Sequence, residues 1–191
     1  MIVRDCAKEL DRALASWAAY TDEIVVVNTG EHPNERGFQE TNAVAESFGA
    51  KVFHFPWVED FSAARNFSFS KCSHDGVMWM DSDDRLRGGE HLEKLVHVGE
   101  TNKGDRDWCY LFPYEYIYSA EGKCVCLHYR ERLISRRSSM QWVNPVHEVM
   151  IPAAGANLML VPCDDVVFEH QRQRSKKPQE GGRNLRILQK L

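Results

Sequence analysis

Val77-Met78-Trp79-Met80-Asp81-Ser82-Asp83-Asp84 is an apolar run that stops abruptly in a cluster of carboxylates. A short apolar run bounded by polar residues reads as a buried strand, which places the acids at its C-terminal edge. Open α/β sheets hold their ligands at that edge. Carboxylates gathered there repel one another unless a cation joins them. Their hard oxygen donors suit Mg²⁺ or Mn²⁺, and either ion suits a diphosphate. The same residue types also build surface turns, so the stretch alone leaves both readings open.

Working outward, Glu23 to Val27 and Lys51 to Phe55 are further β-rich runs. The segments between them carry helical spacing: Leu10, Leu14 and Trp17, then Phe38, Ala45 and Phe48, then Leu92, Leu95 and Val96. Strand alternating with helix predicts βαβ units around a mostly parallel sheet with helices on both faces. The loops after the strands are then the functional ones. Gly30 permits a tight turn or a close backbone approach, and Ser62 is placed to cap a helix beginning near Ala63. Arg65 and Asn66 at such a helix start suit an anion such as phosphate, although Arg65 equally suits a structural pairing with Asp60.

After Asp107 the pattern changes. Trp108 to Ser119 and Lys123 to Ile134, joined by Ala120-Glu121-Gly122, read as a hairpin. Strand signals follow at Gln141 to Met150 and Asp165 to Phe168, and a helical pattern closes the chain at Leu185, Leu188 and Leu191. One domain over 1–191 is expected, with residues 1–107 as one half and 108–191 as an antiparallel extension.

The chain has 191 residues and a mixed charge with a formal net of -4, so nothing in it indicates a general nucleic-acid binder. The charge is uneven. Arg172, Arg174, Lys176, Lys177, Arg183, Arg186 and Lys190 face only Glu180 in the last stretch, a cationic tail. The six cysteines show no C-x-x-C spacing and read as reduced thiols of a cytosolic protein. No apolar stretch approaches the roughly 20 residues of a membrane span, and peripheral membrane contact stays open.

Taken in order, Met1-Ile2-Val3-Arg4, Asp22 through Gly30, Phe48 through Val52, Trp57 with Asp60-Phe61-Ser62-Ala63-Ala64-Arg65-Asn66, and Asp81-Ser82-Asp83-Asp84 resemble family 2 glycosyltransferases of the GT-A fold. The likeness continues through Arg132-Leu133-Ile134, Val146-His147-Glu148, Glu169-His170 and Arg183 to Leu188. Each motif alone is weak, and their joint order is specific. The resemblance implies a Rossmann-like α/β fold and metal-dependent, inverting transfer of a sugar from a nucleotide-diphosphate sugar, with UDP as the first expectation. The acceptor is left as saccharide, lipid, peptide or nucleic acid.

By the same resemblance, Val3, Arg4 and Asn28 line the donor's nucleobase pocket. Asp81 and Ser82 meet its ribose or sugar, and Arg65 meets it at the helix start; the cationic tail, through Arg172, is expected to close over its diphosphate. Asp83 ligates Mn²⁺ or Mg²⁺, with His170 and His147 as further ligands, and Glu148 is the catalytic base. The family carries Asp at the place of Asn28, and an amide both donates and accepts where a carboxylate only accepts. Two alternatives follow: a non-catalytic nucleotide-sugar-binding module, and a nucleotidyltransferase on a related fold.

Overall fold

The computed structural model describes residues 1–135, 140–171 and 179–190. Strands β1 (Ile2–Val3), β2 (Val25–Asn28) and β3 (Lys51–His54) form a parallel sheet in the order β1-β2-β3. Every residue of β2 is buried, as a strand covered on both faces requires. Helix α1 (Ala7–Trp17) buries Leu10, Ala13, Leu14 and Trp17, one face at helical period, and α2 (Arg36–Ser47) buries Phe38, Thr41 and Ala45. Gly30 follows β2, where a Cβ would lie 2.7 Å from the Phe38 ring, so a close approach keeps this position glycine.

Helix α3 (Phe61–Ser70) begins two residues before Ala63. Its cap is Asp60, which accepts from the Ala63 N–H at 2.9 Å and from the Ser62 hydroxyl at 2.7 Å, so the cap is a carboxylate and not Ser62. Strand β4 (Gly76–Met78) ends before Trp79 and Met80, although both stay buried. The chain turns through the carboxylates directly into β5 (Asp84–Arg87), a strand the sequence reading does not assign. Helix α4 (Leu92–Asn102) follows.

The second half is built on β6 (Asp107–Tyr118) and β7 (Cys124–Ser135), a long antiparallel hairpin. β8 (Gln141–Val143) and β9 (Val149–Ile151) pair with each other, and β10 (Leu158–Pro162) and β11 (Val167–His170) complete the strands. The larger sheet runs β4-β7-β6-β11-β5. β10 and β11 share the free edge of β6 end to end, both parallel to it, while β11 meets β5 antiparallel. The interior of this sheet joins Phe112 and Phe168, stacked at 5.8 Å, to Leu10, Leu14 and Met80. Phe168 is fully buried, and a side chain of that size contributes about 1.5–3 kcal/mol by leaving water. It anchors β11 and so fixes His170 two residues on. A second cluster, with Val77, Trp79, Ile134 and Trp142, lies under β8 and β9. Helix α5 (Gln179–Leu188) closes the described chain, with Ile187 as its buried residue while Leu185 and Leu188 stay exposed. No described helix is long and apolar enough to cross a membrane.

Candidate active site

The turn after β4 is closed from both sides. The Asp84 N–H donates to the Asp81 carbonyl at 3.1 Å, and the Asp81 N–H donates to Asp84 Oδ2 at 3.1 Å. Asp84 is 1 % exposed because β5 alternates, turning Asp84 and Leu86 inward. A carboxylate there needs a full set of partners. It has Arg132 Nη1 from β7 at 3.0 Å and the Tyr114 hydroxyl from β6 at 3.0 Å. Arg132 is fully buried, and its guanidinium lies 3.8, 4.4 and 4.8 Å from the ring centres of Trp79, Tyr114 and Phe168. Ring faces are electronegative, so they stabilise a cation that water does not reach. The Asp84–Arg132 pair is therefore internal scaffolding, and Asp84 is not presented to a ligand.

Asp83 and His170 are presented. Asp83 Oδ1 lies 3.7 Å from His170 Nδ1, and a third of the Asp83 side chain is exposed. The Tyr114 hydroxyl lies 2.9 Å from His170 Nδ1, and Asp84 Oδ1 lies 3.3 Å from the same nitrogen. A hydroxyl has one proton, and Tyr114 donates it to Asp84. Nδ1 is thereby left facing a phenol oxygen and a carboxylate oxygen, both acceptors, so Nδ1 carries a proton. In neutral His170 the lone pair is then on Nε2. That is the arrangement in which a second-shell carboxylate fixes a metal-binding histidine. Burial lowers the His170 pKa, but Asp84, Asp83 and Asp81 outweigh it and the net shift is upward. Burial also raises Asp83, and the charges of Asp81 and Asp84 add to this against His170. Asp83, Asp84 and His170 bring donor atoms within 4.8 Å of one another. With Asp84 engaged by Arg132, Asp83 and the His170 imidazole are the residues that could hold a divalent cation, a mixed oxygen and nitrogen set.

A second constellation stands beside the first. Arg65, 7 % exposed, donates from Nη2 to Asp81 Oδ1 and from Nε to Glu148 Oε1, each at 2.8 Å. Its guanidinium lies 4.6 Å from the Trp79 ring centre and 4.9 Å from that of Trp142. Burial alone would lower its pKa, and the facing Asp81 and Glu148 raise it on balance. Burial raises Asp81 in turn, but Arg65 and then Arg132 turn its net shift downward. Glu148 ends the loop between β8 and β9, where Asn144 and His147 both have positive φ, 72° and 55°. Left-handed backbone is uncommon outside glycine and clusters at functional loops. Here it brings Glu148 inward, with its side chain 16 % exposed, while His147 stays outside. The next residue of α3 seats the same lobe: Asn66 donates to the Trp142 carbonyl at 2.9 Å and accepts from the Trp142 N–H at 3.0 Å. The Phe61 N–H reaches the Pro145 carbonyl at 2.9 Å.

Asp81, Asp83, Arg65, Glu148, His147 and His170 all line one cleft of about 510 Å³. The other sequence candidates lie elsewhere. Val3 is buried in β1, and its carbonyl accepts from the Thr29 N–H at 2.8 Å and hydroxyl at 3.2 Å. Arg4 is exposed and pairs with Glu31 at 3.2 Å. Asn28 is fully buried, and its amide is engaged inside the fold: it donates to the Phe38 carbonyl and to Asn42 Oδ1 and accepts from the Gly30 N–H. Ser82 sits in the carboxylate turn against the Cys6 thiol. Arg172 lies outside the described residues. A larger cavity, about 660 Å³, lies against the N-terminal ends of β2 and β4, and none of the cleft residues named above except Trp79 borders it. Tyr114 escapes the sequence entirely, and the pairing of Asp84 with Arg132 beneath His170 is not legible there, because only β11 between β5 and β6 brings them together.

Residues 1–119 match the family described as Glycosyl transferase family 2. Among curated proteins, a TPR repeat-containing protein of Synechococcus elongatus is 41 % identical over 86 residues, covering 45 % of this chain and 20 % of the relative. An uncharacterized glycosyltransferase of Rickettsia conorii is 28 % identical over 110 residues, covering 58 % of this chain and 36 % of the relative. The matched chain thus spans a fifth to about a third of these relatives' length. Among solved structures, glucosyl-3-phosphoglycerate synthase from Mycobacterium tuberculosis in complex with Mn²⁺ and uridine-diphosphate-glucose superposes with a TM-score of 0.54 at 15 % identity, covering 98 % of this chain and 74 % of that one. At that identity the likeness carries the fold, which is the mixed α/β GT-A architecture.

Proposed function

We propose, from the premise that this chain belongs to glycosyl transferase family 2, that it moves a sugar from a nucleotide-diphosphate sugar to an acceptor with a divalent cation at Asp83 and His170. The observation that carries the reading is the opening of four side chains into one cleft: Asp83 and His170 as a donor pair, Asp81 in the adjoining turn, and Glu148 across from it. The bound ion would offset the charge that collects on a departing diphosphate. UDP is the donor nucleotide to try first, since the solved relative of similar fold was crystallised with UDP-glucose and Mn²⁺.

In this reading residues 1–107 form the donor-side half and 108–191 the acceptor-side half. Asp81 and Ser82 meet the donor's ribose or sugar, with Val3 and Arg4 at the mouth of the nucleobase pocket. Asn28 shapes that pocket by holding the turn at Gly30 rather than by touching the base. Glu148 takes the acceptor's proton as its nucleophile attacks the anomeric carbon opposite the leaving diphosphate, which inverts that centre. His147 stands at the entrance, where it meets the acceptor or a phosphate.

The test is a panel of UDP-, GDP- and CDP-sugars with and without Mn²⁺, read by release of nucleoside diphosphate. Release that depends on metal and falls about 10²-fold in Glu148→Gln, with donor affinity retained, is the expected result. Nucleotide-sugar binding without release would mark a binding module. Pyrophosphate release from a nucleoside triphosphate would mark a nucleotidyltransferase.

A further inference from the structure

Asp81 and Glu148 come from opposite halves of the chain, yet a single side chain joins them. The Nε and Nη2 hydrogens of Arg65 lie on one edge of a planar fork and point in parallel, a geometry that ordinarily grips one carboxylate with two bonds. Here the edge is divided, one bond to each carboxylate, both at 2.8 Å. The Trp79 and Trp142 ring centres, 4.9 Å from each other, both crowd the same side of the guanidinium of Arg65, which is 7 % exposed. We propose that Arg65 is a positioning residue, fixing Glu148 relative to Asp81 and hence the line along which an acceptor meets the donor. This rests on the proposed function for its catalytic meaning, and on the observed geometry for its structural one.

The two carboxylates depend on the fork unequally. Asp81 sits in a turn that Asp84 closes from both sides. Glu148 sits at the end of a loop with two left-handed residues, and its hydrogen bond across the halves of the chain is to Arg65. Lysine in place of Arg65 keeps the charge, but a single ammonium on a flexible stem does not hold two carboxylates in one plane. Arg65→Lys should therefore disturb Glu148 far more than Asp81.

Two measurements on Arg65→Lys, with Arg65→Gln as a second variant that removes the charge, decide this. In amide hydrogen exchange, residues 144–149 should exchange at least about tenfold faster than in the wild type while the β6–β7 hairpin is unchanged. In UDP release from UDP-glucose with Mn²⁺, kcat should fall roughly 30-fold or more while the donor KM moves about threefold or less. Because Arg65 acts through Glu148, Arg65→Lys/Glu148→Gln should be no slower than Glu148→Gln alone, within about threefold. Losses that multiply, or unchanged exchange at 144–149, overturn the proposal. If the wild type turns over no nucleotide sugar, the proposed function fails, and the exchange measurement alone still decides whether Arg65 holds Glu148.

Discussion

Asp84→Asn separates two roles for the most buried acid of the cluster, because they predict opposite signs. Asp84 and Arg132 are 1 % and 0 % exposed and lie 3.0 Å apart, so removing the negative partner leaves a guanidinium in the interior. Losing one member of a buried pair costs about 3–5 kcal/mol. Two features hold the expected value to the lower end. The Trp79, Tyr114 and Phe168 rings still face the cation, and the asparagine amide oxygen still accepts from the Asp81 N–H or the Tyr114 hydroxyl. Relief of Asp83 acts in the other direction, but that side chain is a third exposed and solvent screens the gain. A loss of about 3 kcal/mol in a chain of this size corresponds to roughly 6–12 °C in Tm. The assay is urea unfolding of metal-free protein, followed by tryptophan fluorescence, for Asp84→Asn, Arg132→Met and the double variant. The double variant should lose less than the sum of the two single losses, since it strands no charge. If Asp84 were instead a strained metal ligand, its removal would relieve repulsion. A midpoint for Asp84→Asn equal to or above wild type would refute the scaffold role.

Asp83→Asn should do the reverse. The carboxylate is raised by burial and by Asp81 and Asp84, so the amide should leave metal-free stability unchanged or higher while abolishing the Mn²⁺-dependent part of UDP binding, measured by calorimetry with and without the ion. His170 gives a pH signature. Its folded pKa lies above the ordinary 6.5, so its contribution to metal-free stability is fully present below pH 6.5 and fades as pH rises through the folded value. Mn²⁺ affinity should rise over the same interval, because the proton must leave Nε2. His170→Asn should flatten both trends, and a wild type whose metal-free stability grows from pH 6 to 8 by an amount that His170→Asn removes would contradict the sign.

The first half of the chain was legible because its signals are local. Leu10, Leu14 and Trp17 all lie on the buried face of α1, and the carboxylates do follow a buried run. What failed depended on partners distant in sequence. Asp84 to Arg87 has the alternation of a strand, but an aspartate facing inward reads as turn until Arg132 is known to meet it. Leu158 to Val161 is an apolar run of ordinary strand length that the strand signals at Gln141 to Met150 and Asp165 to Phe168 passed over, and Pro162 closes it at a strand end, where proline is tolerated. In α5 the leucines carried the visible period, yet Ile187 is the residue that packs. Arg65 was legible as a site residue and not as to its contacts, since a helix start suggests an anion without saying whether it comes from a ligand or from the protein.

The place of β11 in the sheet has a consequence for synthesis. It slots between β5 and β6, which are complete about fifty residues earlier, and domains emerge from the ribosome N-terminal end first. Until Val167 to His170 leave the exit tunnel, the facing edges of β5 and β6 are unpaired, Phe112 lacks its stacking contact with Phe168, and Asp84 is without the imidazole of the proposed metal site. Closure of the sheet and completion of the proposed metal donors are thus the same late event, so on that proposal a nascent chain holds its fold before it holds an ion.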